Sequence, residues 1–386
     1  MSHAKITSTI LSTFFVPASR GGGPIRTLDA IVSQHSKTVD IRLFCTNRDL
    51  GVDEQLQVPS DTPVSHSGAL VYYIRWNSVL SRARAAIQIR NQKSDILYLN
   101  SLFSFWFSII PMILVRVRFF RPKTVLLAPR GQLGQGALAI SRYRKILFLA
   151  SARIVGLYNA IVWHASSELE ASEIKTHFPR ANVIIRQNEV RLPLQAKAPL
   201  PIDDASALHC VFVGRLSPKK GLHLLIQALH QVRQQVNLDV YGEFESRNYR
   251  TVIDNLISGL PGNISVNLKG PIENSEVRAI FSQYEVFTFP TQHENFGHVI
   301  AESLSSSCPV IIADVTPFTE TIKNGGGVVV QDNDPEGWAR AISTYATLPP
   351  TDRQNRRNRA ASAYSEWRLL ENGPSVFELV SKSSFN

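Results

Sequence analysis

The segment from Val286 to Pro309, VFTFPTQHENFGHVIAESLSSSCP, changes pattern twice in twenty-four residues. Val286 to Pro290 is a short apolar run and reads as a buried strand. Thr291 to Asn295 is a polar turn, and after Phe296-Gly297 a helical period runs from Val299 to Leu304. Such a junction places the amides of Asn295, Phe296 and Gly297 at a helix N-terminus. Those N–H groups lack intrahelical partners, and the macrodipole makes that end positive. It is a seat for phosphate or another electron-rich oxygen group, and Gly297, lacking a side chain, lets a ligand approach the backbone. Glu294 and Glu302 bracket the turn. As carboxylates they can accept strong hydrogen bonds from sugar hydroxyls; as a lone pair they read first as a helix-entry acid and a solvated helix face.

The whole string decides between these. E-N-F-G-H-V-I-A-E, after a strand ending in Pro and before S-L-S-S-S-C-P-V-I, resembles the donor-site motif of the family 4 retaining glycosyltransferases (glycosyl transferases group 1), with two glutamates eight positions apart around an FG turn. A second junction agrees. His209 to Val213 is a strand that enters Gly214-Arg215-Leu216-Ser217-Pro218-Lys219-Lys220-Gly221, and a helix follows from Leu222 to Val232. Arg215 offers a planar fork for two phosphate oxygens and Lys220 a point charge. Two basic residues in a turn are by themselves usually solvated, but G-R-L-x-x-x-K-G resembles the family's diphosphate-binding turn position by position.

Strand–helix alternation on both sides of a Pro- and Ala-rich stretch predicts an α/β protein of two Rossmann-like, doubly wound domains. The resemblance implies the B-type glycosyltransferase (GT-B) fold, with the two domains facing each other across a cleft. The expected boundaries are an acceptor-side domain over residues 1–196, a linker over 197–206, a donor domain over 207–360, and a helical tail, 361–386, returning toward the first domain. The resemblance further implies transfer of a sugar, with retention, from a nucleotide diphosphate sugar to a hydroxyl of a glycan or polyprenyl-linked acceptor, as in the building of bacterial surface polysaccharide or lipopolysaccharide. In that scheme Glu294, Arg215 and Lys220 are catalytic, and Gly22, Gly23, Gly214, Asn295, Phe296, Gly297 and Glu302 hold the donor. No metal or cofactor beyond the nucleotide sugar is expected. Two other readings stay open: a nucleotide-sugar-binding protein that has lost transfer, and a nucleotide-sugar epimerase of the same fold.

Composition sets the wider limits. Hydrophobic residues are 44% and charged residues 19% of 386, which suits a globular enzyme and excludes a disordered chain. Cys45, Cys210 and Cys308 are far apart and show no metal-ligand spacing, so they read as small core residues of a reducing compartment. The N-terminus lacks a small-residue cleavage site, and Ile6 to Val16 reads as a first strand, not a signal peptide. Leu102 to Val115 is shorter than the ~20 residues a spanning helix needs, and Pro111 interrupts it. It reads as a buried helix whose basic flank, Arg116 to Lys123, leaves a membrane-surface role open. A cytoplasmic location, at or near the inner face of the membrane, follows. A net charge of +10 and a pI of about 9.6 favour anionic partners: nucleotide diphosphates, anionic lipids or nucleic acid. No nucleic-acid module is present in the string, so nucleic acid is set aside.

Elsewhere the chain carries weaker signals. Pro17 to Pro24, ending the first strand, includes Gly21-Gly22-Gly23 and precedes a helix from Arg26 to Ser36; in the family such a loop meets the diphosphate and acceptor. The turn Pro129-Arg130-Gly131-Gln132-Leu133 resembles a loop of surface-polysaccharide members, where Arg130 either touches acceptor or phosphate or hydrogen-bonds loop carbonyls. Residues 47–67 read as surface loop, Tyr72 to Ile89 as helix, and the segment from Arg142 as a buried helix with a charged edge, a peripheral membrane face being the second reading. Ser167 and Glu170 are spaced as a capping box. Gln187-Asn188-Glu189 stands where the family has Pro-Asn-Gly, and no acceptor-side His can be placed. Asp332-Asn333-Asp334 reads as a helix N-cap before Pro335 and not as a metal site.

Overall fold

The computed structural model describes residues 5–139, 141–202, 207–370 and 373–383. The last four residues of the expected linker, 203–206, fall outside them. The chain forms two compact units, Met1–Arg191 with Gly373–Asn386, and Leu192–Asn372.

The first unit is an eight-stranded sheet. Its strands are β1 (Ile6–Leu11), β2 (Val39–Thr46), β3 (Pro63–His66), β4 (Ala69–Ile74), β5 (Ile96–Leu99), β6 (Thr124–Leu127), β7 (Val162–Ala165) and β8 (Asn182–Ile185), in the order β3-β4-β2-β1-β5-β6-β7-β8. All pairs are parallel except β3–β4. Both faces are covered, so the strands are apolar on both sides. Leu11, Phe44, Leu97 and Leu127 enter one core cluster, and their neighbours Ile10, Leu43, Tyr98 and Leu126 enter the other.

Several local expectations are corrected. β1 stops at Leu11, five residues short of Val16. The supposed loop 47–67 contains β3, and Tyr72 belongs to β4, since ALVYYI alternates with period two; the helix begins only at Val79, capped by Ser78, and runs to Asn91. Leu102 and Phe103 precede a π-helix, Phe105–Ile109, which continues as the α-helix Ile110–Arg116 with Pro111 in its first turn. Neither this element nor the helix Arg142–Ile154 is buried on all sides. Leu149 and Ala152 face the core, while Tyr143, Leu147 and Ile154 face out.

The second unit is all parallel: β9 (Leu208–Val213), β10 (Val236–Tyr241), β11 (Ile264–Gly270), β12 (Val286–Phe289), β13 (Val310–Ala313) and β14 (Gly327–Val330), ordered β11-β10-β9-β12-β13-β14. The order reverses between β9 and β12, the position where open α/β sheets hold ligands beyond their carboxyl ends. A long helix, Pro350–Leu370, stays in this unit, and only the helix Val376–Ser383 belongs to the first. The tail boundary therefore lies past residue 370, not at 361. The long helix is polar by composition yet anchored by buried arginines. Arg353 meets the Glu285 carboxylate at 2.9 Å, and Arg357 donates to the Ser282 carbonyl at 2.8 Å.

Candidate functional site

β9 and β12 pair at the reversal of strand order, and each runs into a turn that carries charge. After β9 come Gly214 to Gly221, including a 3-10 turn at Pro218–Lys220, and then the helix Leu222–Leu229. After β12 come Pro290 to Gly297 and the helix His298–Leu304. The turns are joined through one carbonyl. The Gln292 amide donates to the Lys219 oxygen at 2.9 Å, and the Thr291 hydroxyl to the same oxygen at 3.4 Å. Gly221 has φ +77°, and a Cβ there would fall 2.0 Å from the Pro290 carbonyl oxygen. Both the backbone conformation and the close approach require glycine.

Across this junction Lys220 Nζ lies 2.6 Å from Glu294 Oε2 and 5.0 Å from the centre of the Phe289 ring. Burial would raise the Glu294 carboxyl, but the charge and hydrogen bond of Lys220 outweigh it and hold the group below the usual carboxylate range. Its other oxygen accepts the Asn295 amide at 3.1 Å, and the Phe296 amide also stabilises the carboxylate. The amides of Asn295 and Phe296 thus face the Glu294 carboxylate. Phe296 is a packing residue, its ring 4.8 Å from His298, 5.9 Å from Phe318 and 6.4 Å from Trp367. Gly297 caps the helix with φ +94°, and Glu302 sits half-buried in its second turn.

Arg215 leaves the same turn as Lys220 and pairs with Glu245 at 3.8 Å, both side chains about half exposed. Next to it is a cavity of about 310 Å³ at the carboxyl ends of β9, β10 and β11, lined by Leu216, Phe244, Arg250 and Gly270 among others. Arg250 lies over the Phe244 ring at 5.5 Å. The sequence reading missed Phe244, Glu245 and Arg250, although Gly242 at the end of β10 marks a third strand-end turn. Gly214 takes part as backbone. A Cβ on Gly242 would fall 1.9 Å from the Gly214 carbonyl oxygen, so the turns after β9 and β10 touch through glycine. Asp332, Asn333 and Asp334 have three separate partners, Arg340, Trp338 and the Gly337 amide.

In the first unit Gly22 caps the helix Gly23–His35 with φ +67°, and a Cβ there would meet no atom within 4 Å. The backbone of the glycine loop is thus open at Gly22. Its preceding amides are occupied, Ser19 at 2.9 Å and Arg20 at 3.2 Å from the Asp49 carboxylate. Arg130, at φ +57°, donates to Tyr98 Oη at 2.6 Å, to Asn100 Oδ1 at 2.7 Å and to Asn188 Oδ1. All three nitrogens of its guanidinium thus hold side-chain oxygens, where the sequence left acceptor or phosphate contact and bonding to loop carbonyls both open, and tie together the segments around β5, β6 and β8. Glu189 pairs with His35 at 3.2 Å and Arg186 at 3.6 Å, so the departure from Pro-Asn-Gly is absorbed in the same polar layer. Ser167 caps its helix by accepting the Glu170 amide. The Glu170 carboxylate reaches Gly131 N at 2.6 Å and Ser166 N at 2.8 Å, holding the Arg130 turn.

Two doubly wound α/β units in this order define the GT-B class of glycosyltransferase folds. Residues 204–363 match the family model "Glycosyl transferases group 1", so the second unit carries the domain to which its two turns pointed. Among curated proteins the capsular polysaccharide biosynthesis glycosyltransferase CapM of Staphylococcus aureus is 31% identical over 180 residues, 45% of this chain and 46% of CapM. The chain spans about half the length of the curated relatives it matches. Among solved structures, Anabaena HepE in complex with UDP and glucose superposes with a TM-score of 0.69 at 17% identity, covering 98% of this chain and 99% of HepE. Sucrose-phosphate synthase from Thermosynechococcus elongatus gives 0.71 at 16% identity, covering 99% of each.

Proposed function

We propose that this protein transfers a sugar from a nucleoside diphosphate sugar to a hydroxyl of a glycan or lipid-linked acceptor in surface-polysaccharide synthesis. The observation that carries the reading is the Lys220–Glu294 pair at 2.6 Å, at the strand reversal of the matched domain. CapM supports the polysaccharide context, and HepE, solved with UDP and with UDP-glucose, supports the donor class.

In this reading the diphosphate lies over the turns after β9 and β12. Cleavage of the anomeric C–O bond leaves charge on the departing phosphate, and Arg215 and Lys220 neutralise it. Such preorganised charge contributes several kcal/mol in a water-poor site, and with two cations in place no divalent ion is assigned a role. The cavity beside Phe244 takes the nucleobase, Glu302 the ribose hydroxyls, and Glu294 the sugar, once the donor phosphate competes for Lys220. By resemblance to its family the reaction retains configuration, the departing phosphate receiving the acceptor proton.

The test is release of nucleoside diphosphate from UDP-, GDP- and ADP-sugars with an acceptor extract. Lys220→Ala and Arg215→Ala, folded by circular dichroism, should each lose roughly a hundredfold or more in kcat. Unchanged turnover in both would remove the leaving-group assignment. Donor binding without release marks a binding protein, and conversion of donor without acceptor marks an epimerase.

A further inference from the structure

Three helices cover one face of the first sheet: Val79–Asn91, the continuous Phe105–Arg116, and Arg142–Ile154. They share one core, in which Ala85, Phe107, Met112, Leu149 and Ala152 are buried with Leu11, Phe44 and Leu127 of the strands. The outer side of such a layer is ordinarily polar. Here Leu80, Trp106, Val117, Tyr143, Leu147 and Ile154 are exposed. On the third helix the exposure is nearly complete, 89% at Tyr143, 70% at Leu147 and 85% at Ile154. These positions are four and seven apart, so they form one outward stripe.

Charge is concentrated in the same part of the chain. From Thr62 to Ser167 there are fourteen lysines and arginines and one acid, Asp95. That excess is larger than the net +10 of the whole chain, so the remainder is slightly acidic. Asp95 is itself paired with Lys123 at 2.7 Å. The helix Arg142–Ile154 carries Arg142, Arg144, Lys145 and Arg153 and no acid. A protein interface mixes both signs around its rim, and a nucleic-acid surface does not call for exposed aliphatic stripes. An apolar stripe flanked only by cations suits the interface of an anionic bilayer, where side chains enter the headgroup level and arginines meet lipid phosphates.

We propose that this helical layer of the first unit docks on an anionic lipid bilayer, with Tyr143, Leu147 and Ile154 inserted and Arg142, Arg144 and Arg153 on the phosphates. The docking gives a lipid-linked acceptor a route to the protein, but it rests on no step of sugar transfer. The full chain is to be sedimented with phosphatidylcholine vesicles, with and without phosphatidylglycerol. Expected are association only with the anionic vesicles, weakening with added salt, and quenching of Trp106 by brominated acyl chains, lost in Trp106→Phe. The double variant Leu147→Asp/Ile154→Asp should bind roughly tenfold or more weakly, as should Arg142→Glu/Arg144→Glu. Both keep the fold, read as an unaltered calorimetric transition of the first unit, to which the helix belongs; Tyr143→Ser serves if either does not. Equal binding to neutral vesicles, no binding, or variants that bind like the parent overturns the proposal, as does a duplex RNA that displaces the protein from vesicles. Vesicle binding that survives while nucleotide release fails would sink the transferase reading and leave this surface standing.

Discussion

His164 shows what single residues do in the first unit. Its Nδ1 lies 2.7 Å from the Tyr98 hydroxyl and its Nε2 2.8 Å from the Arg186 carbonyl. Tyr98 accepts from Arg130, donates to Nδ1, and Nε2–H donates to Arg186, a chain that requires the neutral ring. Burial, reinforced by the charge of Arg130, pushes the imidazole down to about 3. The sign follows from linkage. The unfolded chain takes up the proton near the ordinary histidine value and the folded chain does not, so this stability is complete above that value and is lost as pH falls toward 3. The slope is about 1.4 kcal/mol per pH unit. Urea melts of the first unit between pH 7 and 5 should show that decline, and His164→Gln, which keeps a donor and an acceptor, should flatten it. An equal slope in parent and variant would assign the decline to other groups.

At the scale of elements, glycines in turns separate two physical demands. Gly221 combines φ +77° with a backbone oxygen 2.0 Å from any added Cβ, so the two charged turns cannot keep their spacing around a methyl group. Gly221→Ala should cost the second unit about 3 kcal/mol in chemical denaturation and abolish the nucleotide-sugar thermal shift. Gly22 also has a positive φ, with ψ −135°, but open space around it, so Gly22→Ala should cost backbone strain alone, about 1–3 kcal/mol, and leave the nucleotide-sugar thermal shift of the second unit in place. Loss of that shift at Gly22, or its survival in Gly221→Ala, would contradict the geometry. This contrast also marks what the sequence discloses. Strand–turn–helix junctions announce themselves by local pattern, and the turns after β9 and β12 were legible, as was the Asp334 cap. What was hidden depends on partners far along the chain. Nothing local says that Glu294 takes the amides of Asn295 and Phe296, or that Arg130 ends on Asn188. Nothing local marks Arg353 and Arg357 as buried, because their acceptors, Glu285 and the Ser282 carbonyl, lie about seventy residues earlier in the turn before β12. The end of β4, from Tyr72, was mistaken for helix because YYIRW blends into the helical period that follows.

For the whole molecule, the chain leaves the first unit at Arg191, builds all of the second, and returns at Gly373. The returning helix places Val376, Phe377 and Val380 in the first unit's core beside Leu28, Ile31 and Val32. The Phe377 ring lies 5.9 Å from His35 and 6.2 Å from Tyr98. Topologically the second unit is therefore an insertion, and the fold of the first unit waits on residues that follow it. Each of the three side chains contributes about 1.5–3 kcal/mol on burial, and a domain's whole stability is about 5–15 kcal/mol. Ending the chain after residue 372 should therefore bring the first unit close to unfolding at room temperature. The second unit keeps its sheet, both charged turns and the anchors of its long helix. In a calorimetric scan the truncated chain should lose or sharply lower one transition, while a bound nucleotide sugar still raises the other by mass action. If the cut removes both transitions together, the two units do not fold separately and the insertion is only a matter of connectivity.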